Sequence, residues 1–398
     1  MHVLMISPDT VGEKMAGPGI RYFEIAQILS REFKVTLAVP NDNYPSSGGK
    51  LTFCRHDQQK LLDIYQKCDT VICQGIITKK YPFLLNGGKP LVIDLYDIFY
   101  LEELAGSCML QRNPTSYLYA LKIIQAQLKH GDFFICASER QRDFWLGMLT
   151  AAGRINPFTF QKDPTLRNLI ALVPFGLPSK APQQKRKRLK GSCPQIGRSD
   201  KIILWAGGIW DWLDPFTPIK AMSLIAQKRN DVKLFFMGTR RPLEKAISTT
   251  TLKAVTLSRE LQLLNRIVFF NDGWVPYEQR QDYLLDADIG ITTYQDSLET
   301  HFSWRTRLLD YIWAGLPVVC NSGDSLSQFI QENNLGLVLS RMDERELAGA
   351  LLFLLNNRNS IKVKRNIVKV RPELIWEKAV GPLVSFCRNP RRANDRQG

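Results

Sequence analysis

Apolar, β-branched runs bounded by turn residues alternate, along the first part of the chain, with segments whose apolar positions recur at helical spacing. Met1 to Ile6, Val35 to Val39, Thr70 to Cys73, Leu91 to Ile93 and Phe133 to Cys136 read as short buried strands, and the stretches near 20–31 and 116–129 as helices. The alternation then starts again. Ile202 to Ala206, Val232 to Met237, Ile267 to Phe270, Ile289 to Thr292 and Val318 to Cys320 form a second set of strands, with helical periods near 216–228, 243–263, 277–286 and 304–314. Strands and helices in strict alternation are the mark of parallel sheets covered by helices on both faces. The pattern therefore predicts two doubly wound α/β domains joined in series with a cleft between them, whose ligands bind in loops that follow strands.

The length of 398 residues suits two such domains. A hydrophobic fraction of 44% and a charged fraction of 23% are ordinary for a globular protein. No uninterrupted apolar run approaches the roughly 18 residues of a membrane span. The N-terminus MHVLMISPDTVGEKMAG, with no charged start, reads as a buried strand and loop and not as a secretory signal. Eight cysteines, Cys54, Cys68, Cys73, Cys108, Cys136, Cys193, Cys320 and Cys387, lie mostly in apolar segments without C-x-x-C or paired-histidine spacing. They read as small buried hydrophobes in a reducing compartment, and no metal site is expected. The net charge of +15 is uneven: residues 175–200 hold seven Lys or Arg against one acid. The segment SKAPQQKRKRLKGSCPQIGRSDK is read as an exposed basic linker over 179–200.

Five loops carry candidate chemistry. In SPDTVGEKMAGPGIRYFEIAQIL, Gly17 and Gly19 precede a helix, either to let a phosphate or hydroxyl approach the backbone or as an ordinary strand–helix turn. LVIDLYDIFY puts Asp94 and Asp97 at a strand end, with Asp97 a cap or a substrate contact. ILWAGGIWDWLDPFTPIKAM combines a Gly207–Gly208 turn with Trp210 and Trp212, whose rings pack on a base, a sugar or the other domain. FFMGTRRP offers Arg240 and Arg241 to a phosphate or to solvent. Asp288, ahead of a strand, reads as a structural cap.

The fifth loop is ETHFSWRTRLLDYIWAGLPVV. Ser303 reads as the N-cap of a helix from Trp304 to Ala314 that buries Leu308, Leu309, Ile312 and Trp313, is closed by Gly315 and cannot pass Pro317. Arg305 and Arg307 then add positive charge to a helix start that already favours an anion. Asp310 follows Arg307 by three residues on nearly the same face, so the two form either a solvated ion pair or the phosphate and hydroxyl contacts of a sugar nucleotide.

Taken in order, the Gly-rich first loop, ICASERQRDFW, VPFGLP, GGIWDWLDP, FNDGWVP and above all FSWRTRLLDYIWAGLPVV resemble the recurrent segments of the family 4 glycosyltransferases of the GT-B fold, over nearly the whole chain. The resemblance implies two Rossmann-like domains facing a central cleft, and transfer of a sugar, with retained anomeric configuration, from a nucleotide sugar to a hydroxyl acceptor. It places the acceptor mainly in domain 1–178 and the donor in domain 201–375. IWEKAVGPLVSFCRNPRRA would be the helix, 376–398 with its basic tail, that returns to the first domain. Implied catalytic residues are Asp97 and Glu299; implied donor contacts are Gly17, Gly19, Gly208, Trp210, Arg240, Phe302, Ser303, Arg305, Arg307 and Asp310. No tightly bound cofactor is implied beyond the donor as co-substrate.

The chain departs from the family pattern in three places. The family's acid-x7-acid motif puts its second acid on Asp310 but its first on Phe302, so that Glu299 would take over from three residues earlier. The Arg and Lys that follow the strand at Ile202 to Ala206 are replaced by Ile209-Trp210-Asp211-Trp212, leaving Arg305 with Arg307, or Arg240, to neutralise the pyrophosphate. The frequent histidine near Asp94 and Asp97 is missing.

The competing readings are a nucleotide-sugar epimerase, a phosphorylase, for which no cofactor-lysine site is found, and a basic polyanion binder suggested by KRKRLK. The last is disfavoured because the basic excess lies in a linker and a tail and not on an aromatic platform, so no nucleic-acid partner is expected. The acceptor expected is a sugar, a lipid-linked or another hydroxyl compound, as in synthesis of a cell-surface glycan or glycolipid. The linker, KVKRNIVKVR and RNPRRANDRQG point to a cytoplasmic enzyme in peripheral contact with the anionic inner face of a membrane.

Overall fold

A computed structural model describes residues 1–102, 104, 115–242, 244 and 246–396. Cys108, positions 243 and 245 at the start of the predicted 243–263 helix, and the last two residues of the basic tail lie outside the described residues. Contacts divide the chain into two units, Met1–Gly176 with Phe302–Trp304 and Trp376–Gly398, and Leu177–His301 with Arg305–Ile375.

The first unit is built on seven parallel strands, β1 (His2–Ile6), β2 (Lys34–Val39), β3 (Leu51–Arg55), β4 (Thr70–Cys73), β5 (Leu91–Asp94), β6 (Phe133–Cys136) and β7 (Ile170–Leu172), in the order β3-β2-β1-β4-β5-β6-β7. The second holds six, β8 (Lys201–Trp205), β9 (Val232–Phe236), β10 (Val268–Phe270), β11 (Ile289–Thr292), β12 (Val318–Asn321) and β13 (Gly336–Leu339), in the order β10-β9-β8-β11-β12-β13, again all parallel. The strands read from the sequence are those whose residues are buried on both faces, as in β4, β6, β11 and β12. The missed ones are at sheet edges: β3 is partly exposed, β7 has three residues, and all of β13 is half-buried.

The predicted helix 304–314 is shorter. It runs Thr306–Ala314, and Ser303 does not cap it; Arg305 occupies the N-cap position and no side chain accepts a bond from the first turn. Gly315, at φ +73°, closes it in the left-handed conformation that glycine adopts without steric cost. Tyr311 locks this helix onto the sheet. Its hydroxyl lies 2.9 Å from Leu204 O and 2.7 Å from Ile291 O and accepts the Ala206 N–H at 2.8 Å. Gly290 of β11 makes room for the ring, since a Cβ there would fall 2.2 Å from it.

The segment expected to be an exposed linker is ordered on the second unit. Buried Asp282 accepts the N–H groups of Lys185 (2.7 Å) and Arg186 (3.2 Å). Buried Asp286 accepts those of Arg188 (2.6 Å) and Leu189 (2.9 Å) and the Gln184 amide (2.7 Å). Leu189 is fully buried, while the side chains of Lys185, Arg186 and Lys187 remain exposed. Asp288 ties Lys190 at 2.6 Å and caps the Ile202 N–H at 2.9 Å, the structural part read from its position. The basic tail is ordered likewise within the first unit. Asp395 forms a buried pair with Arg154 at 2.6 Å, and Asp132 accepts the Ala393 N–H at 3.0 Å.

Asp286→Ala removes the acceptor of three bonds, each worth about 1.5–3 kcal/mol when the acceptor is charged. The expected result is a lowered Tm together with faster hydrogen exchange of the Arg188 and Leu189 amides; unchanged protection of those amides would show that the carboxylate does not hold the segment.

Candidate functional site

The carboxyl ends of β8 and β11 and the start of helix Thr306–Ala314 bring together the residues of the second unit with unsatisfied chemistry. Gly207 leaves β8 at φ +109°, a conformation reserved for glycine, and turns the Gly208 carbonyl back towards the sheet. That carbonyl accepts from Trp205 Nε1 at 3.2 Å and from Arg307 Nη2 at 2.5 Å. Arg307 also reaches Thr292 Oγ1 at 3.5 Å and lies over the Trp205 ring, 5.2 Å from its centroid. Its Nε is buried and makes no hydrogen bond, and no carboxylate pairs with it among the described residues. Burial, with Arg305 nearby, pushes its pKa down to about 10. Arg307 is thus a half-buried cation for which no described carboxylate supplies a counter-charge.

Arg305 differs. Its guanidinium pairs with buried Glu299 at 2.8 Å, donates to Thr300 Oγ1 at 3.2 Å and stacks 4.4 Å from the Tyr294 ring centroid. Glu299 is already engaged by this pair. Tyr294 in turn bonds Asp324, Asn321 O at 2.9 Å and, through its N–H, Asn321 Oδ1 at 3.2 Å. The two arginines read together in the sequence therefore separate into one internally neutralised and one not.

The expected Arg307–Asp310 pair does not form. Asp310 Oδ1 instead takes Arg280 Nε at 3.3 Å, from helix Arg280–Asp286. Arg280 was not visible as a site residue in the sequence, because only packing brings its helix against Asp310. Removal of the Asp310 carboxylate would therefore take from the nearly buried Arg280 its acid partner at that position. Trp210 and Trp274 close over Gly208, where a Cβ would meet their rings at 2.8 Å and 3.0 Å, and Arg241 lies 5.8 Å from the Trp210 ring. Trp212 stacks on Trp210 at 6.1 Å. Arg240 sits apart, half-exposed and 3.3 Å from Asp272. Asp211 and Asp214 are structural acceptors, for Thr250 Oγ1 at 2.8 Å and for the Phe216 N–H at 3.0 Å.

In the first unit Gly17 has open space beside it, whereas a Cβ on Gly19 would fall 2.1 Å from Thr10 O, so packing requires the second glycine. Asp94 is committed to a buried bidentate pair with Arg21, at 2.7 Å and 3.0 Å. Asp97 remains half-buried and accepts Gln74 Nε2 at 2.6 Å. Phe302 and Ser303 fall in this unit: the Phe302 ring packs 4.6 Å from that of Phe144, and its carbonyl accepts Gln141 Nε2 at 2.8 Å. Among the described residues no cluster of His, Cys, Asp and Glu could hold a metal ion, and no helix is long and apolar enough to cross a membrane.

The arginines predict opposite stability effects. Arg305→Met leaves Glu299 buried without its partner and is expected to cost about 3–5 kcal/mol. Arg307 has a folded pKa below that of the unfolded chain, so its burial opposes folding at every pH below about 10. Arg307→Met is therefore expected to keep or raise Tm in thermal denaturation at neutral pH; a fall as large as that of Arg305→Met would refute the distinction.

Residues 200–357 match the family described as "Glycosyl transferases group 1". No curated protein sequence matches the chain. Solved structures match along its whole length. Sucrose-phosphate synthase from Thermosynechococcus elongatus is 14% identical, covering 97% of this chain and 98% of that one at a TM-score of 0.67. WaaG, a glycosyltransferase involved in lipopolysaccharide biosynthesis, is 14% identical over 97% and 100% at 0.64. Anabaena HepE, solved in complex with UDP and glucose, is 13% identical over 98% and 99% at 0.66. Residues 200–357 are thus a domain of the glycosyl transferases group 1 family, set in a chain with the two-sheet GT-B fold.

Proposed function

We propose that the chain moves a sugar from a nucleoside-diphosphate sugar, held by the second unit, to a hydroxyl acceptor. The observation that carries this reading is Arg307, a half-buried cation with no carboxylate partner among the described residues, whose buried Nε makes no hydrogen bond. A diphosphate supplies the missing counter-charge at a helix start where backbone N–H groups also favour an anion. As the bond to the sugar breaks, negative charge accumulates on the departing diphosphate, and a preorganised cation stabilises that state more than the ground state. The HepE structure, which holds UDP and glucose, supports the donor class. Asp310 accepts ribose hydroxyls, Trp210 and Gly208 line the donor, and Asp97 serves the acceptor, while Glu299, engaged by Arg305, acts on the donor sugar only through that pair. Retention of anomeric configuration and a role in building a surface glycan or glycolipid belong to the same proposal.

A thermal-shift screen of UDP-, GDP- and ADP-sugars tests it. A donor at about 100 times its Kd adds roughly 2.7 kcal/mol of stability, and Arg307→Met should abolish the shift. Stabilisation of Arg307→Met equal to that of the wild type would place the phosphates elsewhere, Arg240 being the next candidate.

A cytoplasmic location with peripheral contact to an anionic membrane is part of the proposal, and its support is now the ordered strap that displays Lys185, Arg186 and Lys187. Each such side chain contributes about 1 kcal/mol near an anionic leaflet. Cosedimentation with anionic but not neutral vesicles, reduced in a variant with these three residues changed to Gln, is the expected outcome; equal, negligible pelleting with both would remove the membrane contact.

A further inference from the structure

Arg280 is an ordered, nearly buried cation that the proposed donor chemistry does not use directly. Its guanidinium lies 3.7 Å from the Tyr277 ring centroid and 4.6 Å from that of Trp313, and Nη1 donates to Tyr277 O at 2.9 Å. Two aromatic faces and a carbonyl leave it little rotational freedom. From this clamp it donates through Nε to Asp310 Oδ1 at 3.3 Å. The Asp310 side chain keeps 32% of its surface, and its Oδ2 takes no hydrogen bond among the described residues. The carboxylate is therefore held by one oxygen and open at the other, the arrangement needed to accept from a pair of adjacent hydroxyls.

We propose that Arg280 is a positioning residue that fixes the Asp310 carboxylate for the vicinal 2′- and 3′-hydroxyls of the donor ribose. The inference rests on the nucleoside-diphosphate reading above. Burial raises the Asp310 pKa and the charge and hydrogen bond of Arg280 oppose that rise. The other groups near Asp310 give no such support: Tyr311, next to it on the same helix, has its hydroxyl among the strand carbonyls, and Arg307 is directed to Gly208 and Thr292. Without Arg280 the carboxyl protonates at higher pH, becomes a donor itself and loses its fixed orientation.

The test compares binding of UDP, GDP and ADP with that of their 2′,3′-dideoxy counterparts, by calorimetry, between pH 5.5 and 8. Wild-type protein is expected to prefer the ribose form of its nucleotide at least tenfold. Arg280→Met, which keeps an unbranched side chain between the two rings, should bring the preference near unity and weaken ribose-form binding more steeply than in the wild type as pH falls. Arg280→Lys should keep the wild-type pH profile but lose at least threefold of the preference, and it decides the matter if Arg280→Met fails to fold. Binding of none of the three diphosphates by the wild type would overturn the donor reading and this inference together. A folded Arg280→Met or Arg280→Lys with wild-type preference and pH profile would overturn this inference alone.

Discussion

One hydroxyl group organises the second unit. Tyr311 places its Oη among the main-chain groups of β8 and β11, at Leu204, Ala206 and Ile291, and Gly290 gives up its side chain so that the ring can lie against the strand. A helix turn is thereby fixed at the carboxyl end of a parallel sheet, where such sheets hold their ligands. Arg307 and Asp310 belong to that helix, one turn apart, and their positions follow from the lock on Tyr311 between or beside them. The desolvated phenol costs little because each of its polar atoms is satisfied; burial raises its pKa well out of the range in which it could lose the proton.

The same sequence stretch holds two arginines with opposite electrostatic circumstances. Arg305 is part of a closed network with Glu299, Thr300 and Tyr294, so its charge is already answered by the fold. Arg307 is half-buried, its Nε is sealed off without a hydrogen bond, and no carboxylate among the described residues pairs with it. A fold retains such a residue at the expense of its own stability, and an anionic ligand converts that cost into affinity. This asymmetry, more than the count of basic residues, is the ground for the proposed donor site at the carboxyl edge of the second sheet.

Buried carboxylates perform a related task for the basic segments. A run such as KRKRLK repels itself and is expected to be disordered. Asp282 and Asp286 overcome that repulsion by accepting main-chain N–H groups, leaving the Lys185, Arg186 and Lys187 side chains outside while Arg188 and Lys190 turn back to Gln279 and Asp288. On the first unit Asp132 accepts the Ala393 N–H of the tail in the same manner, while Asp395, in the tail itself, pairs with the Arg154 guanidinium. The positive charge of the chain is thus presented from ordered backbone.

The sequence by itself determined the fold class and most of the strands, because parallel strands buried on both faces leave unbroken apolar runs such as Val-Val-Cys or Phe-Phe-Ile-Cys that water would otherwise penalise. It also determined the end of helix Thr306–Ala314, since the Gly315 turn is a local backbone requirement. Edge strands β3, β7 and β13 escaped notice because they are short or only partly buried. Charge pairing was decided by tertiary structure alone. Spacing of three residues suggested Arg307 with Asp310, yet Asp310 is taken by Arg280, thirty positions away, and Arg307 by a carbonyl ninety-nine positions away. Local spacing tells which side chains are able to meet, whereas the dielectric and the partner each one finds depend on elements that only packing brings together.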